Sequence, residues 1–473
     1  MISMPNSIYQ ITENFIKKVQ EVTFSAELSS LDDLTTDLQK VSNEFCKKMT
    51  EAALKELNES IRDDRKLRKE NGLTIHSKDR PRSYLTEIGE IHYARDCYLV
   101  HETGKHTCIM DRMIGVEAYE RVGRNIGARL VSEATENSYA QSSRIVTGGS
   151  VSRQTVRNKI LKMGPLEYSA SGELKQVKEL HIYADEDHAH LQKPKKAKGK
   201  KLQINPLAVV TEGTKAVANG RNKTICPIRF VDHEFNSKRL WNSVEGYLRS
   251  AYDMDYLEKI YLHADGGSWI KSGLSEMKQK VEVLDGFHLE KYIMKLVRLF
   301  PNSNTHYRIT NAIKANDKGK ADKIFQSLLD KSDGDTRKEE IVKKVTKYIL
   351  GHWDAAVLRK TEDIPGSCTE GQISHVLSSR FSREPLGWSK EGLGSLSSQR
   401  VYIMNGGNIK GSDFGATSDN TYADLMEMCL SGKMNEKLDW SIIDAKIQSI
   451  FDTGSGTQQV LKSLGQLQNV TLS

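Results

Sequence analysis

From residue 31 the apolar positions Leu31, Leu34, Leu38, Val41, Phe45 and Met49 recur three or four apart, with charges on the intervening positions. That spacing predicts helix within residues 8–70, stopping at "DDRKLRKENG". The period then shortens. In "RSYLTEIGEIHYARDCYLVHETGKHTCIMD" short β-rich runs are broken at Gly89 and at "HETGKH", which predicts a small antiparallel meander. Helical spacing returns in "SYAQSSRIVTGGSVSRQTVRNKILKMG": a short helix, a "TGGS" turn, and a second helix with Val156 and Ile160 facing inward. Arg153, Gln154, Arg157 and Asn158 then face outward, the outline of a helix-turn-helix whose second helix enters a major groove. Plain helix packing produces the same pattern, and both readings stand at this point.

From Lys178 the pattern is that of strands. "KELHIYADED", "INPLAVVTEG" and "ICPIRFVD" are three apolar runs, followed by the amphipathic helix "NSKRLWNSVEGYLRSAY". Then come the strand "LEKIYLHADGG", a helix, the strand "KVEVLDGFH" and the helix "LEKYIMKLVRLF". The order βββαβαβα predicts an α/β core, a mixed sheet with helices on its faces. Between the first two strands lies "KPKKAKGKK", with six lysines in nine residues, which cannot pack and reads as a loop. The resulting division is 1–75 helical, 76–132 meander plus helix, 133–170 helix-turn-helix and 175–300 the first part of the core. A helical insertion (301–362), the end of the core (363–400) and a C-terminal tail (401–473) complete it.

Composition narrows the class. At 473 residues, 38% hydrophobic and 28% charged, the chain has the make-up of a globular protein of several units. It contains no apolar run near the ~18 residues of a membrane helix and no secretory order at its start, so a cytoplasmic protein is expected. Six cysteines without a CxxC pair argue against a disulfide framework and a ribbon-type zinc site. Cys97, His101, His106 and Cys108 do cluster, in a spacing that matches no common zinc pattern and on a hairpin that would bury cysteines in any case. A net charge of +7 only leans towards nucleic acid.

The candidate chemistry lies at strand ends. In open α/β sheets ligands gather beyond the carboxyl ends of strands. Asp185 is expected to close the first strand and Asp265 the fourth; if the two are neighbours, their carboxylates converge. Gly266 and Gly267 would leave room for a phosphate and a metal ion, and Trp269 would stack on a base or pack behind the site. Two carboxylates without histidine ligands suit Mg²⁺ or Mn²⁺. A pair of such ions needs a further carboxylate, for which Glu370, early in a helix, is the candidate, a helix cap being its plainer reading. His188 and His190 alternate on a strand and read as solvated.

The ordered set "YADED", "LHADGGSWI", "LDGFHLEKY" and "TEGQISHVLSSRFSREPLGWS" resembles the DDE transposases of bacterial insertion sequences, in the broad Mutator-like group. More narrowly it is similar to the Lre-type insertion-sequence transposases, catalogued as an uncharacterised protein family, over about Arg82 to Lys390. The resemblance implies a ribonuclease-H-like catalytic fold with a helical insertion. It assigns the acids to Asp185, Asp265 and Glu370, and an Asp-x-x-His element to Asp285 and His288. Asp187 stands two residues from Asp185 and remains an alternative first acid; Glu186 stands where relatives often have glycine.

The function so implied is transposition: binding of double-stranded DNA at an element's terminal repeats, cleavage with about two Mg²⁺ or Mn²⁺ ions, and joining to target DNA by a dimer or larger oligomer. Lys195, Lys196 and Lys198 would neutralise backbone phosphate. The helix from Ser150 to Lys162, with Arg153, Gln154 and Arg157, would read bases, and Arg380 would touch backbone. A ribonuclease-H-like nuclease without strand transfer and a domesticated, non-catalytic DNA-binding protein are the rival readings.

Overall fold

The computed structural model describes residues 6–24, 30–170, 172–192, 202–217, 221–332, 334–366, 368–384 and 387–415. Two compact units divide between Gly123 and Arg124. The boundary inferred at residue 133 instead falls inside a helix, Arg124–Glu136. No described helix is long and apolar enough to cross a membrane.

In the first unit, helices Asn6–Thr23 and Leu31–Asp63 precede a three-stranded sheet. Ser30 caps the long helix by accepting from the Asp33 amide at 3.1 Å, which satisfies one of its free N–H groups. The expected meander is β1 (Leu73–Thr86), β2 (Gly89–Val100) and β3 (Lys105–Thr107), antiparallel in sequence order. Sheet and helix are joined by a buried carboxylate: Asp96 accepts from Arg62 Nη2 at 2.7 Å and from the Asp79 amide at 2.9 Å. Burial pushes that carboxyl up, but the hydrogen bonds from Arg62, the Asp79 amide and Asn58, with the Arg62 charge, together outweigh it and hold the group below its ordinary range. The cysteine expectation needs correction, because Cys97 and Cys108 face each other as a disulfide pair with Cα atoms 4.4 Å apart. The two histidines do not join them: His106 lies against His76 with the rings tilted, centroids 4.1 Å apart, and His101 pairs with the Thr74 hydroxyl at 2.7 Å.

The second unit is built on a five-stranded mixed sheet. Its strands are β4 (Glu179–His190), β5 (Leu202–Thr211), β8 (Ile228–Phe230), β9 (Lys259–Ala264) and β10 (Lys280–Leu284), in the order β10-β9-β4-β5-β8. β4, β5 and β8 are antiparallel, while β9 and β10 run parallel to β4 through helical crossovers. A separate hairpin that the pattern did not suggest, β6 (Thr214–Val217) and β7 (Arg221–Thr224), interrupts the meander.

Alternation decides what each face carries. Leu180, Ile182 and Ala184 of β4 join Ile260, Leu262 and Ala264 of β9 under the helix Ser237–Ala251. The odd positions of β4 turn the other way, and they are polar: His181, Tyr183, Asp185 and Asp187. That face is buried as well, because the helical segment 369–381 packs against β4. His181 Nδ1 and His263 Nε2 meet at 3.1 Å, and burial pushes the two imidazoles down to about 4 and about 3. Both are therefore neutral at pH 7.

Two helical assemblies flank the sheet. The insertion forms its own apolar core from Gly286–Leu299, Thr305–Lys314, Lys318–Asp330, Thr336–Gly351 and Trp353–Thr361, so it begins one helix earlier than the pattern suggested. On the other side the helix Lys390–Met404 packs against Arg124–Glu136 and Arg153–Met163. Its residues 392–401 are buried, and Gln399 Nε2 donates to the Ile160 and Gly164 carbonyls at 3.0 and 2.7 Å.

Gly394 marks the tightest approach of that helix. A Cβ there would lie 2.0 Å from the His233 carbonyl oxygen. Alanine is otherwise the better helix former by about 1 kcal/mol, but overpacking against backbone costs about 1–3 kcal/mol. Gly394→Ala is expected to lower the free energy of urea unfolding; an unchanged or higher midpoint would show that the contact relaxes without cost.

Candidate functional site

Parallel pairing sets three strands in one register. Tyr183 of β4 and Val283 of β10 both pair with His263 of β9. Two residues further along each strand stand Asp185, Asp265 and Asp285, so one acid follows the same level on three adjacent strands. Asp265 lies just beyond β9, where Gly267 N–H donates to its Oδ1 at 2.8 Å. Asp285 lies just beyond β10 and caps Gly286–Leu299 by accepting from the His288 amide at 3.0 Å.

Asp185 differs from expectation, because it does not end its strand. β4 continues to His190 against β5, with Asp185 opposite Leu207. What ends at this level is the parallel neighbour β9, and that opens the edge onto which Asp185 faces. Burial, and then the like charge of Asp265, push the Asp185 carboxyl up to about 6, against a pull from His288. His288 is shifted in the opposite sense. Its ring lies 3.3 Å from Asp285 Oδ1, and that hydrogen bond, outweighing burial and helped by the charges of Asp285, Asp185 and Asp265, holds the imidazole above its ordinary range. The charges of the acids thus favour the protonated form of His288. The acid pair itself offers carboxylate oxygens, the donor type that fits a hard divalent cation.

Glu370 is not brought to the pair. Its side chain is exposed on Thr369–Ile373, and among the described residues no group of three or more His, Cys, Asp or Glu closes on one metal position. The residue before it is tied in, however: Thr369 Oγ1 donates to Asp285 Oδ2 at 3.0 Å. The other candidate first acid is used elsewhere. Asp187 is buried and accepts from Ser378 Oγ at 2.8 Å and Ser382 Oγ at 2.7 Å. Glu186 points to the opposite face and accepts from Trp269 Nε1 at 2.9 Å, while the Trp269 carbonyl accepts from Trp241 Nε1. Trp269 is thus packed behind the site.

The space expected at the two glycines is filled. Gly266 has φ +99°, and a Cβ there would lie 2.5 Å from His352 Nε2. His352 comes from the insertion, with Nδ1 held 2.7 Å from the Tyr348 carbonyl. Nothing in its sequence surroundings marks this histidine as a neighbour of Asp265. Thr369, Ser378 and Ser382 were equally unmarked, being ordinary helix hydroxyls until the fold sets carboxylates against them.

The expected DNA-contact residues fall into three groups. Helices Tyr139–Thr147 and Arg153–Met163 meet across Gly148 and Gly149, both at positive φ, with Val156 and Ile160 buried, Arg153 and Gln154 exposed and Arg157 partly exposed. Lys195, Lys196 and Lys198 lie outside the described residues. Arg380 is a correction: it is buried, donating to the Ala134 and Asn137 carbonyls at 3.0 and 2.8 Å, so its charge is held inside the fold and does not face a phosphate.

A model of an uncharacterised protein family, UPF0236, matches residues 25–417. Three UPF0236 proteins of Caldanaerobacter subterraneus subsp. tengcongensis are each 33% identical to the chain. Two align over 415 residues, covering 86% of this chain and 85% or 81% of the relative; the third aligns over 409, covering 85% of each. Among solved structures, the Drosophila P element transposase strand transfer complex aligns with 64% of this chain and 85% of that one. With 9% identity and a TM-score of 0.21, it carries no argument.

Burial of the Asp185 carboxyl, with the like charge of Asp265 adding to it, makes stability depend on pH. With a folded value of about 6 against an ordinary 3.8, the folded state binds the extra proton, so stability is lost as pH rises from about 4 to about 6. Asp185→Asn removes that loss. Without added metal, the variant is expected to match wild type near pH 4 and exceed it by ~1–3 kcal/mol at pH 7 in urea unfolding. An equal difference at both pH values would mean that Asp185 carries no such strain.

Proposed function

The chain belongs to the uncharacterised protein family UPF0236, and we propose that it is a DNA transposase acting on the terminal repeats of an insertion sequence. The observation that carries this reading is the common level of Asp185, Asp265 and Asp285 at one sheet edge, with His288 bonded to the third and coupled by charge to the first two. The mixed sheet, an antiparallel meander extended by two parallel strands and followed by a helical insertion, supports a ribonuclease-H-like core. One relative's name joins eleven serial designations from a single organism, as a coding sequence repeated in one genome would be named. Repetition within a genome is what transposition produces.

In this reading Asp185 and Asp265, with Glu370 carried in on its helix, hold a pair of Mg²⁺ or Mn²⁺ ions. Bound there, the ions would supply a lowered pKa to the attacking oxygen and charge compensation to the leaving one. The chain's own side chains divide the remaining work. Asp285 fixes the His288 ring through Nδ1 and tethers the Glu370 helix through Thr369. His288, as imidazolium, offers a positive partner for a phosphate oxygen beside the acids. Arg153 and Gln154, at the exposed start of the second helix of the helix-turn-helix, are positioned to meet base edges.

Asp265→Asn keeps the shape of the strand end and removes one negative charge. It is expected to bind terminal-repeat DNA at wild-type strength or better and to lose Mg²⁺-dependent cleavage and joining together. A folded variant that still cleaves near the wild-type rate would overturn the assignment. Cleavage without joining by the wild-type protein would instead favour a nuclease. For base reading, Arg153→Ala with Arg157→Ala should cost about 1–3 kcal/mol per lost contact on terminal-repeat DNA. An equal loss on unrelated DNA would refer those side chains to backbone or packing.

A further inference from the structure

The helix Gly286–Leu299 presents two different sides. Leu289, Ile293 and Leu296 are buried in the core of the insertion. Phe287, Lys291, Met294 and Arg298, spaced by four, three and four, form an exposed stripe. Phe287 is 48% exposed and Met294 39%, large apolar groups left in water on the first and third turns. Lys291 Nζ lies 5.5 Å from the centroid of the Phe287 ring. The same ring meets the His288 ring edge-on at 5.6 Å and stands two residues beyond Asp285, at the end of the strand that carries the third acid of the common level. Among the described residues neither Lys291 nor Arg298 has a carboxylate partner, and the nearby Glu290 is already matched by Lys360 at 2.6 Å and His306 at 2.8 Å. The stripe is therefore an aromatic platform with uncompensated positive charge, leading away from the acids.

We propose that this stripe holds the DNA strand on which the site acts: Phe287 stacks on an unpaired base next to the reacting phosphate, and Lys291 and Arg298 hold phosphates beyond it. The proposal rests on the transposase reading and deepens it by naming the form of the substrate. Its occupant follows from charge and geometry. An apolar protein partner would gain nothing from two unpaired cations in the stripe, whereas a nucleic-acid strand matches one open ring followed by alternating charge and apolar surface. A base inside a duplex is already stacked on both faces, so an open ring at the strand end recruits one that has left the stack. From Phe287 to Arg298 the stripe runs about 16 Å at 1.5 Å per residue, the length of a few nucleotides.

The test uses the full chain and two fluorescent probes of equal length, a 20-nucleotide oligo(dT) and an abasic deoxyribose-phosphate strand, with binding read by anisotropy. Wild type is expected to bind oligo(dT) about tenfold more tightly than the abasic strand. Phe287→Ala should erase that preference and Phe287→Trp should keep it. Lys291→Ala combined with Arg298→Ala should weaken both probes alike and flatten the salt dependence. A wild type without base preference, or a preference that survives Phe287→Ala, overturns the stacking role. Wild-type cleavage and joining of terminal-repeat duplex, assayed in parallel, separates the two levels. If those activities are present while the base preference is absent, the stripe alone is refuted; if no DNA of any form binds, stripe and transposase reading fall together.

Discussion

Everything at the candidate site depends on the shared register of β4, β9 and β10. Hydrogen bonding between parallel strands fixes Tyr183, His263 and Val283 at one level, and the acids two residues beyond inherit that alignment. Side chains alternate along a strand, so a slip of one residue in β9 would exchange Leu262 for His263 in the apolar layer and turn Asp265 away from Asp185. The apolar residues under Ser237–Ala251 thus hold in place two carboxylates that repel one another. Packing of the sheet opposes the electrostatics of its edge, and the raised carboxyl of Asp185 records the cost.

The second face of the sheet is joined to its neighbours by directional contacts more than by greasy ones. Asp187 grips Ser378 and Ser382, Asp285 grips Thr369, and Arg400 donates to the Thr135 carbonyl at 2.7 Å and to Val376 and His375 carbonyls nearby. Apolar contact is tolerant of sliding, whereas a buried hydrogen bond broken by a shift leaves an unsatisfied group worth about 1–3 kcal/mol. The segment 369–381 is therefore fixed in register against β4. Within it, Ser374–Ser378 is a single π turn, a device that inserts one residue and re-aims the side chains around it.

Legibility followed from how local each signal was. The strands of the mixed sheet, the meander and the two helices joined at Gly148 could be read because period and turn chemistry are properties of adjacent residues. Asp265 was visible as an acid closing an apolar run, whereas Asp285 was marked only by the family resemblance. Asp185 was visible as an acid but not as a mid-strand residue, since the antiparallel pairing with β5 that extends β4 is set by a distant segment. Arg380 was misread for the same reason: an arginine on a helix looks solvent-facing until the carbonyls of Ala134 and Asn137 are known to lie beside it. His352 could not have been found, because its only tie to the site is the absence of a side chain at Gly266. The hairpin β6–β7 was hidden by its polar composition.

The place of Glu370 follows from charge. Asp185 and Asp265 already oppose each other strongly enough to shift one of them. A third carboxylate brought within about 5 Å would meet roughly 3 kcal/mol of repulsion from each at an effective dielectric near 20. Among the described residues the positive groups beside the acids are already engaged: His288 by Asp285, and Arg359 by the Pro365 carbonyl at 2.7 Å. The exposed position of Glu370 keeps it clear of that repulsion, while the Thr369 tether keeps the glutamate one residue from the network that orients His288. In the proposed transposase reading, approach of the third acid and arrival of divalent charge would then be coupled. A bound cation would lower the cost of bringing Glu370 in, and bringing Glu370 in would raise the affinity for the cation by the same factor.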